Sequence, residues 1–172
     1  MSVAKPTVRV GYARRVLNLI DWIMAFLVIL AMAAMVTIVA VQVGLRYGLN
    51  QSIDWADELS RLLFVWSIFL AVPLGIKRGA HVRIELLTAW LPARVRQRMF
   101  RAISMLAMAL MAVVAWQAGI LIRDQWDEPM STLDISAGLF MLPLLIGAIH
   151  SLLHLLAGAL DGEPVKALSA AE

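Results

Sequence analysis

Four stretches of this chain, at about 22–43, 55–76, 102–122 and 135–156, are each apolar over the roughly twenty residues a helix needs to cross a bilayer core. Lipid offers the backbone no hydrogen-bond partners, so each stretch must satisfy its own N–H and C=O groups, and a helix does this within one segment. Composition agrees: 62% of the 172 residues are hydrophobic and 16% charged, against about 25% charged in soluble domains. Little chain is left over for a soluble domain. The expected fold is an all-α integral membrane domain over residues 1–172, with four transmembrane helices and an in-plane amphipathic helix between the second and third.

Charge placement orients the spans. Of the 15 basic residues, Lys5, Arg9, Arg14 and Arg15 precede the first span, and Lys77, Arg78, Arg83, Arg94, Arg96, Arg98 and Arg101 lie between the second and third. The positive-inside rule puts both regions in the cytoplasm, and four crossings return the short C-terminal tail there as well. The opposite connections carry Asp54 and Asp57, then Asp124, Asp127, Glu128 and Asp134, against Arg46 and Arg123, and should face outward. The basic residues are thus placed for membrane orientation and anionic lipid, and nucleic-acid binding is not expected. The first apolar run exceeds the 7 to 15 residues of a signal-peptide core, so it reads as an uncleaved helix.

The link after the second span has a pattern of its own. From Arg83 to Leu91, Ile84, Leu87 and Leu91 share one helical face with Leu86 and Trp90 beside them, and Pro92 then interrupts or restarts the helix. Tryptophan and flanking arginines suit the headgroup boundary, so Lys77, Arg78, Arg83, Trp90, Arg94 and Arg98 are candidate lipid contacts. Pro73 and Pro143 fall inside spans two and four, where each should bend the axis and free a carbonyl. Ala115 and Gly119, like Gly147 and Ser151, have the spacing that lets helix backbones approach closely.

Few residues offer chemistry. Glu58 and Arg61 are three apart on one face of the second span, close enough to pair and to present a joint polar surface. Ions in an apolar helix are tolerated only when paired or directed into protein, so this pair is a candidate anchor for a partner helix. Trp66 lies deep enough to pack against that partner, and Arg46 follows the first span nearby. His150 and His154 share a face of the fourth span, within conceivable reach of His81. Two histidines one turn apart cannot take opposite axial positions on one haem iron, and no carboxylate is evident in the inner half of the spans to complete a metal shell. Neither a metal nor another cofactor is expected in this chain. Cysteine is absent, which removes disulfides, thiolate metal sites and thiol nucleophiles. With no phosphate loop, nucleophile elbow or His-Glu-x-x-His, enzymatic chemistry has no visible residues.

Taken in order, Arg46-Tyr47, the run from Trp55 through Asp57, Glu58, Leu59, Ser60 and Arg61 to Phe64 and Trp66, Phe69-Leu70, and Lys77-Arg78-Gly79-Ala80-His81 followed by Arg83 resemble the small membrane subunit of tripartite ATP-independent periplasmic (TRAP) transporters, the DctQ-like family. The resemblance covers about residues 15–158. One departure is Ala71-Val72, where Gly-Ala fits the family pattern. The resemblance implies a scaffold without a catalytic site, in the cytoplasmic (inner) membrane of a bacterium or archaeon. It implies a larger elevator-type membrane subunit that holds the substrate and sodium sites, and a soluble periplasmic protein that delivers an organic acid such as a dicarboxylate. A haem-bearing anchor of a respiratory enzyme is the alternative. A self-sufficient small drug exporter would want an acidic residue deep in a span, and Glu58 is too near the end. The identity of the substrate is not written in this chain, because in such a system specificity lies in the other components.

Overall fold

The computed structural model describes residues 8–77 and 92–161. Four long helices account for most of them: α1 Val8–Gly48, α2 Asp54–Lys77, α3 Ala93–Asp124 and α4 Leu142–Asp161, with a short 3-10 turn at Ala137–Phe140 before α4. Four stretches are long and apolar enough to cross a membrane, within α1, α2 and α3 and, for the fourth, from Ala137 in the 3-10 turn to Gly158 in α4. The in-plane helix expected at 83–91, with Arg78, Arg83 and Trp90, lies outside the described residues, as do residues 162–172. Arg94 belongs to α3, but its side chain is likewise outside them.

Helix ends follow local chemistry. α1 has 41 residues and so runs about 60 Å, well beyond a bilayer core. It stops where Asn50 takes a left-handed φ of 53° and the Gln51 amide reaches back to the Leu45 carbonyl at 3.2 Å. Asparagine tolerates that conformation better than most residues. α2 opens with Asp54 and Asp57 in its first turn and ends on Lys77, each charge matching the helix dipole. α3 starts directly after Pro92, whose φ is −54°. The helix that begins there carries the basic residues 94–101 into the third span.

The helices pack in the order α1, α2, α4, α3. Burial sets the inner pair apart: 22% of the apolar window of α2 and 33% of that of α4 is buried, against 6% for α1 and for α3. Small residues make this packing possible. Ala56, Ser60, Ser67, Leu70 and Pro73 are buried on α2, and Pro143, Gly147, Ser151 and Leu155 form a buried row at every fourth residue of α4. α1 and α3 leave many large apolar side chains outward, Trp22, Phe26 and Ile29 on one and Leu106 and Trp116 on the other among them. In a four-helix row of this kind, such faces belong against lipid or another membrane protein.

The two prolines differ in what they do. Pro73 sits within α2 and is fully buried. Its ring removes the hydrogen bond that the Phe69 carbonyl would receive four residues back. Gly147 of α4 lies against that same carbonyl: a Cβ on Gly147 would stand 2.4 Å from the Phe69 oxygen. The freed acceptor thus faces a backbone with no side chain in the way. Pro143, expected to bend span four, is instead the second residue of α4, where the missing N–H would have no partner anyway. The pair Ala115 and Gly119 does not mark a close approach. Space is open where a Cβ would sit on Gly119, and the buried residue of this face is Ala118.

Candidate functional site

Polar side chains gather at the two ends of the helix row. At one end, Glu58, the fifth residue of α2, does not pair with Arg61. Its Oε1 accepts the Ser131 amide at 2.9 Å, and its Oε2 accepts the Thr132 amide at 2.7 Å, the Thr132 hydroxyl at 2.6 Å and the Leu133 amide at 3.1 Å. Three consecutive backbone N–H groups of the α3–α4 connection therefore wrap one carboxylate, an anion-holding nest. The connection is shaped for this by an antiparallel bridge between Pro129 and Ser136 and by the Met130 amide bonding the Ile135 carbonyl at 2.9 Å. The sequence offers no clue to the pairing, because the donors are main-chain groups some 74 residues away.

Arg61 is exposed and has no hydrogen-bond or ion-pair partner among the described residues. Trp66 is turned into the chain: its indole N–H donates to the Leu139 carbonyl at 3.1 Å and ties α2 to the 3-10 turn. Arg46 is exposed at the same end. It lines an open polar hollow with Gln42, Asn50, Asp54, Asp57 and Thr132, in which the Gln42 side-chain amide donates to Asp57 at 2.9 Å. Of the four residues expected to meet a partner, Glu58 and Trp66 are thus engaged internally, while Arg46 and Arg61 face outward.

The opposite end holds a cluster that the sequence reading missed. Asp21, one residue before the stretch taken as the first span, is 5% exposed, and His150 is 3% exposed. Asp21 Oδ1 lies 2.7 Å from His154 Nε2 and 2.9 Å from His150 Nε2, and the two Nε2 atoms are 3.1 Å apart. Asp21 Oδ2 meets Lys77 Nζ at 2.5 Å, and Lys77 also donates to Asn18 at 2.8 Å. Lys77, expected to reach lipid, is directed instead to α1. Asp21 supplies, beside the two histidines, the carboxylate that was not expected there. It was legible only as a lone acid at the edge of an apolar run, and its contacts with α4 span 133 residues. Arg98, in the early turns of α3, is exposed and compatible with a lipid contact.

With this geometry in place, the comparison with known proteins is decisive. The profile of the DctQ component of tripartite ATP-independent periplasmic transporters matches residues 35–162. The chain belongs to the DctQ family. As a DctQ component it is a multi-pass membrane protein and a small permease subunit. It is 34% identical over 83 residues to the sialic acid TRAP transporter small permease protein SiaQ of Vibrio cholerae, covering 48% of this chain and 46% of that protein. A putative TRAP transporter small permease protein of Haemophilus influenzae is 25% identical over 135 residues, 78% of this chain and 82% of that one. The isethionate TRAP transporter permease protein DctMQ of Oleidesulfovibrio alaskensis is 31% identical over 78 residues, 45% of this chain but 12% of that much longer protein. The chain thus spans less than half the length of two of these three relatives. In this DctQ component the motif around Glu58 lies within the matched region, and Asp21 lies before it.

Proposed function

We propose that the chain is the scaffold subunit of a tripartite secondary transporter for organic acids, dicarboxylates among them. It braces a larger membrane subunit that carries the substrate and sodium sites and is supplied by a periplasmic binding protein. The observation that carries this reading is the use of the polar groups. Glu58, Trp66, Asp21 and Lys77 are spent on holding the four helices and their connection together, while broad apolar faces are left outward. A chain that moved a substrate by itself would need polar groups lining a path near the midplane.

Two further facts support a larger partner. Arg61 stands exposed on an apolar helix without a partner among the described residues, a costly arrangement against lipid and an acceptable one against protein. The isethionate relative is a permease of which the stretch similar to this chain is 12%. We place the chain in the cytoplasmic membrane, with both termini inside, on the strength of the basic residues before α1 and between α2 and α3. The haem-anchor alternative is disfavoured, because the His150 and His154 Nε2 atoms converge on one point from one side.

Reconstitution tests the proposal. Liposomes with this chain alone should take up no organic acid, and sodium-dependent uptake should appear when the large subunit and binding protein are added. Uptake by the chain alone would overturn the scaffold role, as would full uptake by the other two components without it.

A further inference from the structure

We propose that Asp21, His150 and His154 form a binding site for a first-row transition-metal dication of the zinc class, clipping α1 to α4. The argument starts from a triangle of heteroatoms. Asp21 Oδ1 and the two Nε2 nitrogens are separated by 2.7, 2.9 and 3.1 Å, and all three belong to residues withdrawn from solvent.

Hydrogen bonds cannot satisfy all three sides of this triangle with neutral rings. If both Nε2 atoms carry protons, each donates to Oδ1, and two N–H groups are then left facing one another at 3.1 Å. If only one carries a proton, the other presents its lone pair to the carboxylate oxygen within 2.9 Å. Either way one short contact is unfavourable. An ion placed about 2.0 to 2.2 Å from each atom turns three converging lone pairs into three bonds. Such bond lengths in a tetrahedral site set ligand atoms about 3.3 Å apart, so the triangle needs to open only by a few tenths of an ångström.

The donor set selects the metal class. Two imidazoles and one carboxylate suit zinc and its neighbours, whereas magnesium and calcium prefer all-oxygen shells. Three protein ligands leave a further position, which water can fill because the neighbouring Lys77 side chain is 42% exposed. Lys77 holds the other carboxylate oxygen and orients Asp21 from outside the metal shell, and Asn18 offers the ammonium an alternative acceptor at 2.8 Å. His150 Nδ1 is buried without a hydrogen-bond partner, so in the metal-bound tautomer its N–H lacks an acceptor, a cost that the bonds to the metal must exceed. Metal binding through Nε2 requires the ring proton to reside on Nδ1 in both histidines.

The consequence is structural. α1 packs on α2, and α4 on α2 and α3, so this cluster is a direct tie between the outer helix α1 and the inner helix α4. The site is independent of the transport reading and can be tested without it.

The test uses the full chain in nanodiscs, purified without a polyhistidine tag, stripped with chelator and then exposed to Zn2+ or Co2+ alone. About one equivalent of Zn2+ should remain per chain after gel filtration, and the Co2+ form should show visible d–d absorption with X-ray absorption from two imidazoles and one carboxylate oxygen. Zn2+ should raise the unfolding temperature of the wild type. His150→Gln, His154→Gln and Asp21→Asn should each weaken binding by at least about tenfold and abolish that rise, while eluting as the wild type does in chelator. A wild-type chain that retains no metal, or a Co2+ spectrum without imidazole ligation, would overturn the site. So would unchanged binding in the two histidine variants.

Discussion

The carboxylate of Glu58 accepts the backbone amide of Thr132 at 2.7 Å and its hydroxyl at 2.6 Å, joining residues 74 positions apart. An acidic side chain near the start of α2 is therefore the form around which the α3–α4 connection is cast. Glu58→Ala should leave the amides of Ser131, Thr132 and Leu133 without their acceptor and lower the unfolding temperature of the isolated chain. Arg61→Ala should leave that temperature within the small range of surface substitutions, since Arg61 has no partner among the described residues, yet reduce co-purification of the large subunit. Exchanging the two charges should rescue neither defect. Rescue by the exchange would show that they pair after all.

The packing of Gly147 against the Phe69 carbonyl gives a second expectation. A methyl group at Gly147 would stand 2.4 Å from that oxygen, so Gly147→Ala must push α4 away from α2. Overpacking of this kind costs about 1 to 3 kcal/mol. Gly75 and Gly119 have open space at the same position, and Gly→Ala there should be neutral or mildly stabilising. Thermal unfolding of the three variants in one detergent decides the matter. Equal stability of all three would remove the close approach from the account.

Trp66 offers a third. Its indole N–H bond to the Leu139 carbonyl is partly buried, and Trp66→Phe keeps most of the apolar surface while deleting the donor. The loss should be about 1 kcal/mol, and larger for Trp66→Ala, which also removes packing. Identical stability of the Phe variant and the wild type would mean that the ring acts by packing alone.

Much of the fold was legible because lipid is a strict solvent. Four apolar stretches had to be helices, and Pro92, legible as a break in the helical pattern, stands immediately before α3. Side-chain partners were a different matter. The Glu58–Arg61 spacing suggested a pair, but a local ion pair competes with any anion-holding loop that tertiary structure brings in, and the residues 131–133 carry no charge to announce themselves. Asp21 was overlooked for a related reason. It stands at the edge of an apolar run, and its meaning comes from Lys77, His150 and His154, which the sequence places on other helices. Pro143 was misread because hydropathy does not separate a 3-10 turn from the first turn of the helix after it.

Orientation can be tested by reporter fusions at the connections. By the positive-inside rule, the basic residues before α1 and between α2 and α3 predict Gly79 in the cytoplasm and Asn50 and Asp127 outside. Phosphatase fusions should be active at Asn50 and Asp127 and silent at Gly79, with the reverse for a cytoplasm-active reporter. Phosphatase activity at Gly79 would invert the topology and with it the assignment of the Asp21 cluster to the inner side.

The final expectation concerns Asp21 and Lys77, whose groups meet at 2.5 Å with side-chain exposures of 7% and 42%. Removing one member of a fully buried pair costs about 3 to 5 kcal/mol, because the other charge is left uncompensated, whereas an exposed pair contributes about 0 to 1 kcal/mol. Here the carboxylate is buried and the ammonium is half in water, so the two substitutions should differ. Lys77→Met leaves a buried carboxylate that keeps only its imidazole contacts, and it should cost more than Asp21→Asn, which leaves an ammonium able to reach water and Asn18. In the double variant neither charge is stranded, so its loss should be smaller than the sum of the single losses. Thermal unfolding of the four chains in chelator measures this coupling without any contribution from metal. Additive losses would mean that Lys77 and Asp21 act separately, and that the short contact between them does not hold α2 to α1.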